Sequence, residues 1–111
     1  MEYIEFKRVL FESPYYGGTE VIVGLTETDS EGTFQNFLEN AFTAFQQFII
    51  DRCEGEIIAD IADENGNYSE SDYVKAVEKY EENCYISSIS DIPENEALWC
   101  VGTDDYGAID W

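Results

Sequence analysis

Between Thr33 and Arg52 the chain repeats phenylalanine at helical intervals, and this run constrains the fold more than any other. Phe34, Phe37, Leu38, Ala41, Phe42, Phe45, Phe48 and Ile49 recur three and four residues apart, so a helix stacks them along one side. A stripe of that kind holds a few hundred Å² of aromatic surface and must be covered by a sheet or by other helices. Core packing is its ordinary use, and a ligand-binding aromatic groove is the sharper alternative.

The flanking segments supply what could cover it. Glu2–Phe11 is rich in Tyr, Ile, Phe, Val and Leu and reads as a strand, although Lys7-Arg8 upsets its alternation. Ser13-Pro14-Tyr15-Tyr16-Gly17-Gly18 turns the chain, and Glu20–Thr26 places Val21, Val23 and Leu25 on one face, as the second arm of a hairpin does. Thr28–Gly32 is expected to be loop. Glu56–Ala62 reads as a short strand, apolar on both faces, followed by a turn centred on Asn65-Gly66. Ser69 is placed to cap a second helix running to about Asn83, with Asp72 as its capping-box partner and Val74, Val77 and Tyr80 facing inward. Cys84–Ser90 and Ala97–Thr103 complete the expected strands. The order β-β-α-β-α-β-β predicts one α+β domain over residues 1–111, a mainly antiparallel sheet with two helices on one face.

Charge narrows function more than fold. Twenty-five acidic residues stand against five basic ones with no histidine, a formal net charge of −20. Direct nucleic-acid binding needs a Lys/Arg surface, and so does adhesion to anionic lipid; both are excluded. A fold of this mass exposes roughly 6,000 Å², so one net negative charge falls on about every 300 Å². Solubility needs a net charge of only about 2–8 for a small domain, and the excess calls for another reason. Hydrophobic content of 44% keeps the chain out of the disordered class.

Chemistry finds few footholds. Without histidine a serine or cysteine nucleophile lacks its usual base. No phosphate-binding glycine loop and no H-E-x-x-H motif occurs. Cys53, Cys84 and Cys100 form no C-x-x-C pair and read as free, partly buried thiols of a reducing cytoplasm. The stretch from Ile61 to Asp72 aligns Asp63, Asn65, Gly66, Ser69 and Asp72 with a calcium loop. Its first position is Ile61, where a carboxylate belongs, so an Asn-Gly turn with a helix cap is the better reading. No enzyme activity, cofactor or metal is expected. The amino terminus lacks the basic and apolar regions of a signal peptide, and no stretch reaches the apolar length of a membrane span.

The acids are densest beyond Arg52. From Glu54 onward sixteen acids face only Lys75 and Lys79. The expected contact residues are Glu54, Glu56, Asp60, Asp63, Glu64, Glu70 and Asp72, then Glu78, Glu81 and Glu82, then Asp91, Glu94 and Glu96, and finally Asp104 and Asp105. Glu27, Asp29 and Glu31 crowd a further loop. In size, acidic composition and absence of tags the chain resembles the small acidic DNA mimics that phages and mobile elements direct against restriction or CRISPR nucleases. The resemblance implies a cytoplasmic inhibitor whose carboxylates stand in for phosphates, and a partner that is a basic nucleic-acid-binding protein or nuclease complex. Immunity proteins that neutralise basic nuclease toxins share these electrostatics and form the alternative. An acidic domain from a salt-loving cell is the plain reading, against which stand eleven isoleucines and seven phenylalanines. A homodimer contact through Tyr15, Tyr16 or Trp111 is left open.

Overall fold

Ser30 begins the longest element. Its hydroxyl accepts the Thr33 amide at 3.2 Å while the Thr33 hydroxyl accepts the Ser30 amide at 3.2 Å, a reciprocal cap that satisfies two otherwise orphaned donors. From it helix α1 runs over Glu31–Ile61 in the computed structural model, which describes residues 2–111. The helix therefore starts two residues before the predicted Thr33 and runs nine beyond Arg52. The expected strand Glu56–Ala62 does not exist: these residues are the last turns of α1, ending where the Ala62 amide bonds to the Ile58 carbonyl.

Four strands form one sheet in the order β3-β1-β2-β4. Strands β1 (Glu5–Ser13) and β2 (Gly17–Leu25) are an antiparallel hairpin with Val9 opposite Val21 and Ser13 opposite Gly17. Pro14 begins its tight turn and Gly17 carries φ +120°, a conformation that side chains disfavour. That short turn carries β1 on to Ser13, past the predicted end at Phe11. Strand β3 (Tyr85–Ile92) lies antiparallel on the other side of β1, and β4 (Val101–Gly102) pairs with β2 in parallel. The sheet is thus mixed. Most of the predicted strand Ala97–Thr103 is a crossover, entered by a 3₁₀ turn at Glu94–Glu96.

Residues on alternate positions of the hairpin, Val9, Phe11, Val21, Val23 and Leu25, are buried and form one core with Phe34, Phe37, Ala41, Phe45 and Ile49 of α1. Phe11 meets Phe45 at 5.5 Å between ring centroids, and Trp111 closes the cluster at 5.2 Å from both. The aromatic stripe is core, as its spacing predicts, and Trp111 belongs to it. On the sheet's other face the Tyr3 ring lies over Gly24, where a Cβ would come within 2.6 Å of it.

Lys7 lies over the Phe34 ring, Phe11 beside Phe45, and Tyr16 beside Phe48, so β1 and α1 run in the same direction. Thirty-one helical residues span about 46 Å, whereas nine strand residues reach only about 30 Å. The end of α1 consequently projects past the β1–β2 turn. Helix α2 (Glu70–Glu82) folds back along that projection, packing on α1 and not, as predicted, on the sheet. Tyr15 of the turn stacks on Tyr80 of α2 at 4.0 Å and accepts a hydrogen bond from Asn83, bracing the base of the helical hairpin. The result is elongated, 56 × 23 × 20 Å with a radius of gyration of 17.0 Å, against about 13 Å for a compact chain of this length. Among the described residues no helix is long and apolar enough to cross a membrane.

Candidate functional site

The helical hairpin is built to hold carboxylates in water. Its loop is fixed by Asp63, whose Oδ1 accepts the Asn65 and Asn67 amides, each at 2.9 Å, and by Gly66 at φ +80°. Ser69 then caps α2 by accepting the Asp72 amide at 3.1 Å, as predicted, with Glu70 and Asp72 in the first turn where the helix dipole favours them. The return bond from the Asp72 side chain that would complete a capping box is not made. These bonds use Asp63 Oδ1 and the Ser69 hydroxyl in the turn and the cap, the roles that the Asn-Gly reading gives them. Among the described residues no three acidic or cysteine side chains come together as a metal site.

Glu54, Glu56, Asp60, Asp63, Glu64, Glu70, Asp72, Glu78 and Glu82 are all exposed on this hairpin, and Glu81 is half-buried at its base, where its carbonyl accepts from Gln46. The fold thus brings together ten of the fifteen expected contact residues. They are not equivalent. Asp63 belongs to the loop's scaffold, and Asp60 and Asp72 line a groove shared with Lys75 and Lys79. Glu54, Glu56, Glu64, Glu70, Glu78 and Glu82 have neither a lysine in their groove nor a structural bond, and the first four lie toward the hairpin's far end. Burial, reinforced by Asp60 and then the Cys53 thiol and Glu56, pushes the Tyr80 phenol up. Burial does the same to the Cys53 thiol, with Glu56 adding to it.

The other five expected residues lie at the opposite end of the molecule. Asp91 is held by the Lys7 ammonium at 2.6 Å, which depresses its carboxyl below the usual range, so it is spent inside the fold. Glu94 and Glu96 occupy the crossover beside β3, with Glu2 and Glu5 adjoining Asp91 and Glu94. Asp104 and Asp105 lie beside Asp29 because β2 and β4 are paired. The fifteen expected contact residues therefore fall into two groups that the fold separates along a 56 Å axis.

Acids from the first half of the chain, outside the fifteen expected contact residues, complete the second group: Glu2, Glu5, Glu27 and Glu31, all exposed. Crowding of Glu27, Asp29 and Glu31 is visible as a run; the nearness of Asp29 to Asp104 and Asp105 follows from a parallel strand pair that no local pattern announces. Asp29 itself is a structural acid. Its carboxylate accepts the Thr26 amide at 2.8 Å, and the Thr26 and Thr103 hydroxyls, and these bonds hold its carboxyl below the usual range. Within the same crossover Leu98 and Trp99 stand exposed, 90% and 49%, among Glu94, Glu96 and Asp104 in sequence.

The five bases do little to offset this. Lys7 pairs with Glu5 and Asp91, and Arg8 lies 3.3 Å from Glu20. Arg52 sits over the Tyr16 and Phe48 rings at 5.3 and 5.9 Å. Tyr15 and Tyr16 thus both make contacts within the fold, although Tyr16 keeps 42% of its surface exposed. Among the described residues neither Lys75 nor Lys79 comes within 4 Å of a carboxylate. No family model, curated protein or solved structure matches the chain.

Proposed function

We propose that the protein is a non-catalytic inhibitor that imitates the phosphates of nucleic acid and occupies the basic groove of a host defence nuclease complex in the bacterial cytoplasm. The observation carrying this reading is charge per unit length. Twenty net negative charges along 56 Å amount to one per about 2.8 Å, against one per about 1.7 Å of duplex DNA. A groove lined with Lys and Arg to hold a duplex meets in this rod a polyanion of comparable density. The encounter is accelerated by long-range attraction and weakened by salt. Blockade then needs no reacting group, only carboxylates fixed where cationic side chains expect phosphate oxygens.

The test is capture from host lysate at low and high salt, followed by measurement of the captured protein's nucleic-acid binding. A partner with a cationic groove, released by salt and unable to load nucleic acid while bound, is the expected result. Reversal of Glu54, Glu56, Glu64 and Glu70 together to lysine is expected to weaken the complex at least a hundredfold. Any one reversal should cost fivefold or less, since an exposed ion pair contributes under about 1 kcal/mol. A contact zone without Lys and Arg, or one substitution that abolishes binding alone, would sink the reading. Capture of a single cognate toxin, indifferent to other nucleases, would replace it with the immunity-protein alternative.

A further inference from the structure

We infer that the free edge of β3 is a homodimer seam, at which two copies pair their β3 strands antiparallel about a two-fold axis between Ser87 and Ser88. The two edges of the sheet are treated very differently. Strand β4 has two residues and offers almost no ladder, whereas β3 has eight and is hydrogen-bonded on one side only. Edges are ordinarily guarded by charge, proline or brevity. From Asn83 to Ser90 this chain has no charged residue and no proline, although it carries 25 acids in 111 residues. Tyr85 and Ile89 on that edge are about half exposed, 51% and 46%.

The strand is also self-complementary. Ile86 lies opposite Phe11 and Ile89 opposite Val9, both on the side facing α1, while Tyr85, Ser88 and Ser90 lie opposite Glu12, Leu10 and Arg8 on the other side. Regular alternation would set residues 86 and 89 on opposite faces. A bulge places them on the same face, because Ser87 is the extra residue between the pairs Leu10–Ser88 and Phe11–Ile86. With the axis between Ser87 and Ser88, Ile86 of each copy meets Ile89 of the other, and Tyr85 meets Ser90, so like faces coincide. A slip of one residue sets Ile86 across Ser88 or Ser90, which belong to the other face. Two isologous apolar pairs flank the axis, and two four-stranded sheets become one of eight.

Charge selects the second copy as occupant. A basic partner gains nothing at a neutral edge when carboxylates crowd both ends of the molecule. A second copy is repelled nearly everywhere else and here meets few carboxylates, with Asp91 already held by Lys7. Two chains of −20 still repel across the seam, and salt relieves that repulsion within a Debye length of about 8 Å at physiological strength. Dimerisation therefore strengthens with salt, the reverse of polyanion mimicry, so the two proposals fail separately.

Sedimentation equilibrium of the full chain across a range of salt concentrations tests the seam. The expected mass is twice 12.7 kDa, with the dimer fraction rising as salt is added. Ile89→Asp and Ser88→Asp, both at exposed positions, are expected to weaken association tenfold or more while circular dichroism stays native. Leu98→Asp, outside β3, is expected to leave it intact. A mass of 12.7 kDa at every salt and concentration overturns the proposal. So does a dimer that survives both β3 variants, or one that Leu98→Asp dissociates and the β3 variants do not.

Discussion

The two halves of α1 share a helix and little else. From Phe34 to Ile49 the helix lies on the sheet, and Phe37, Ala41, Phe45 and Ile49 are at most 1% exposed. From Cys53 onward it has only α2 beside it, and its remaining surface carries Glu54, Glu56 and Asp60. The second half also breaks the local rules of a good helix. Gly55 stands in its interior with open space where a side chain would be, and Asp60 sits in its last turn with no basic residue to offset the dipole. The sheet half is therefore the stable unit, while the hairpin half is held by a thin seam, Cys53, Ile57 and Tyr80, and given over to charge.

Three measurements break or sharpen that contrast. Phe45→Ala removes the ring between Phe11 and Trp111 and is expected to cost about 3–5 kcal/mol in urea denaturation; a loss below about 1 kcal/mol would end the claim that this cluster anchors the fold. Gly55→Ala is expected to gain up to about 1 kcal/mol, read as slower hydrogen exchange at the amides of 53–61 and 70–82 with β1 and β2 little changed. Equal slowing throughout the chain would show that the hairpin does not open on its own. The smallest effect comes from pH. Asp29 has a folded pKa below its unfolded one, so the stabilisation it gives is complete at neutral pH and lost as pH falls through the folded value. The stability difference between wild type and Asp29→Asn should close below about pH 4, and a difference constant with pH would contradict the bonding described for its carboxylate. In alkali the sign reverses. Cys53 and Tyr80 are raised by burial, and the stability they give disappears as pH climbs through their folded values. Tyr3 behaves likewise at the other end, so the alkaline limb does not separate the two regions.

The hairpin half is also the less legible of the two in the sequence. The phenylalanine stripe announces α1, and the alternation of Val21, Val23 and Leu25 announces β2. Glu56–Ala62 looks like a strand because Ile57, Ile58 and Ile61 are apolar on two sides. In fact Ala41, Phe45, Ile49, Cys53 and Ile57 continue every four residues. Each such step turns about 40° around a helix of 3.6 residues per turn, so the buried stripe winds off the sheet and onto α2. An unbroken four-residue repeat was the available signal, hidden because the partner changes along the way. The acids show the complementary limit. Their number and exposure are legible from composition, but their division between two ends depends on β4 returning beside β2, which two residues accomplish.

That division makes the molecule a spacer. At physiological salt fields fade within about 8 Å, so the hairpin tip and the sheet end, set along a 56 Å axis, do not sense one another's potential. Under the proposed function each end acts as a separate ligand, and a surface with two cationic sites at matching separation would gain avidity from one molecule. A surface with only one such site would leave the far end free to recruit something else.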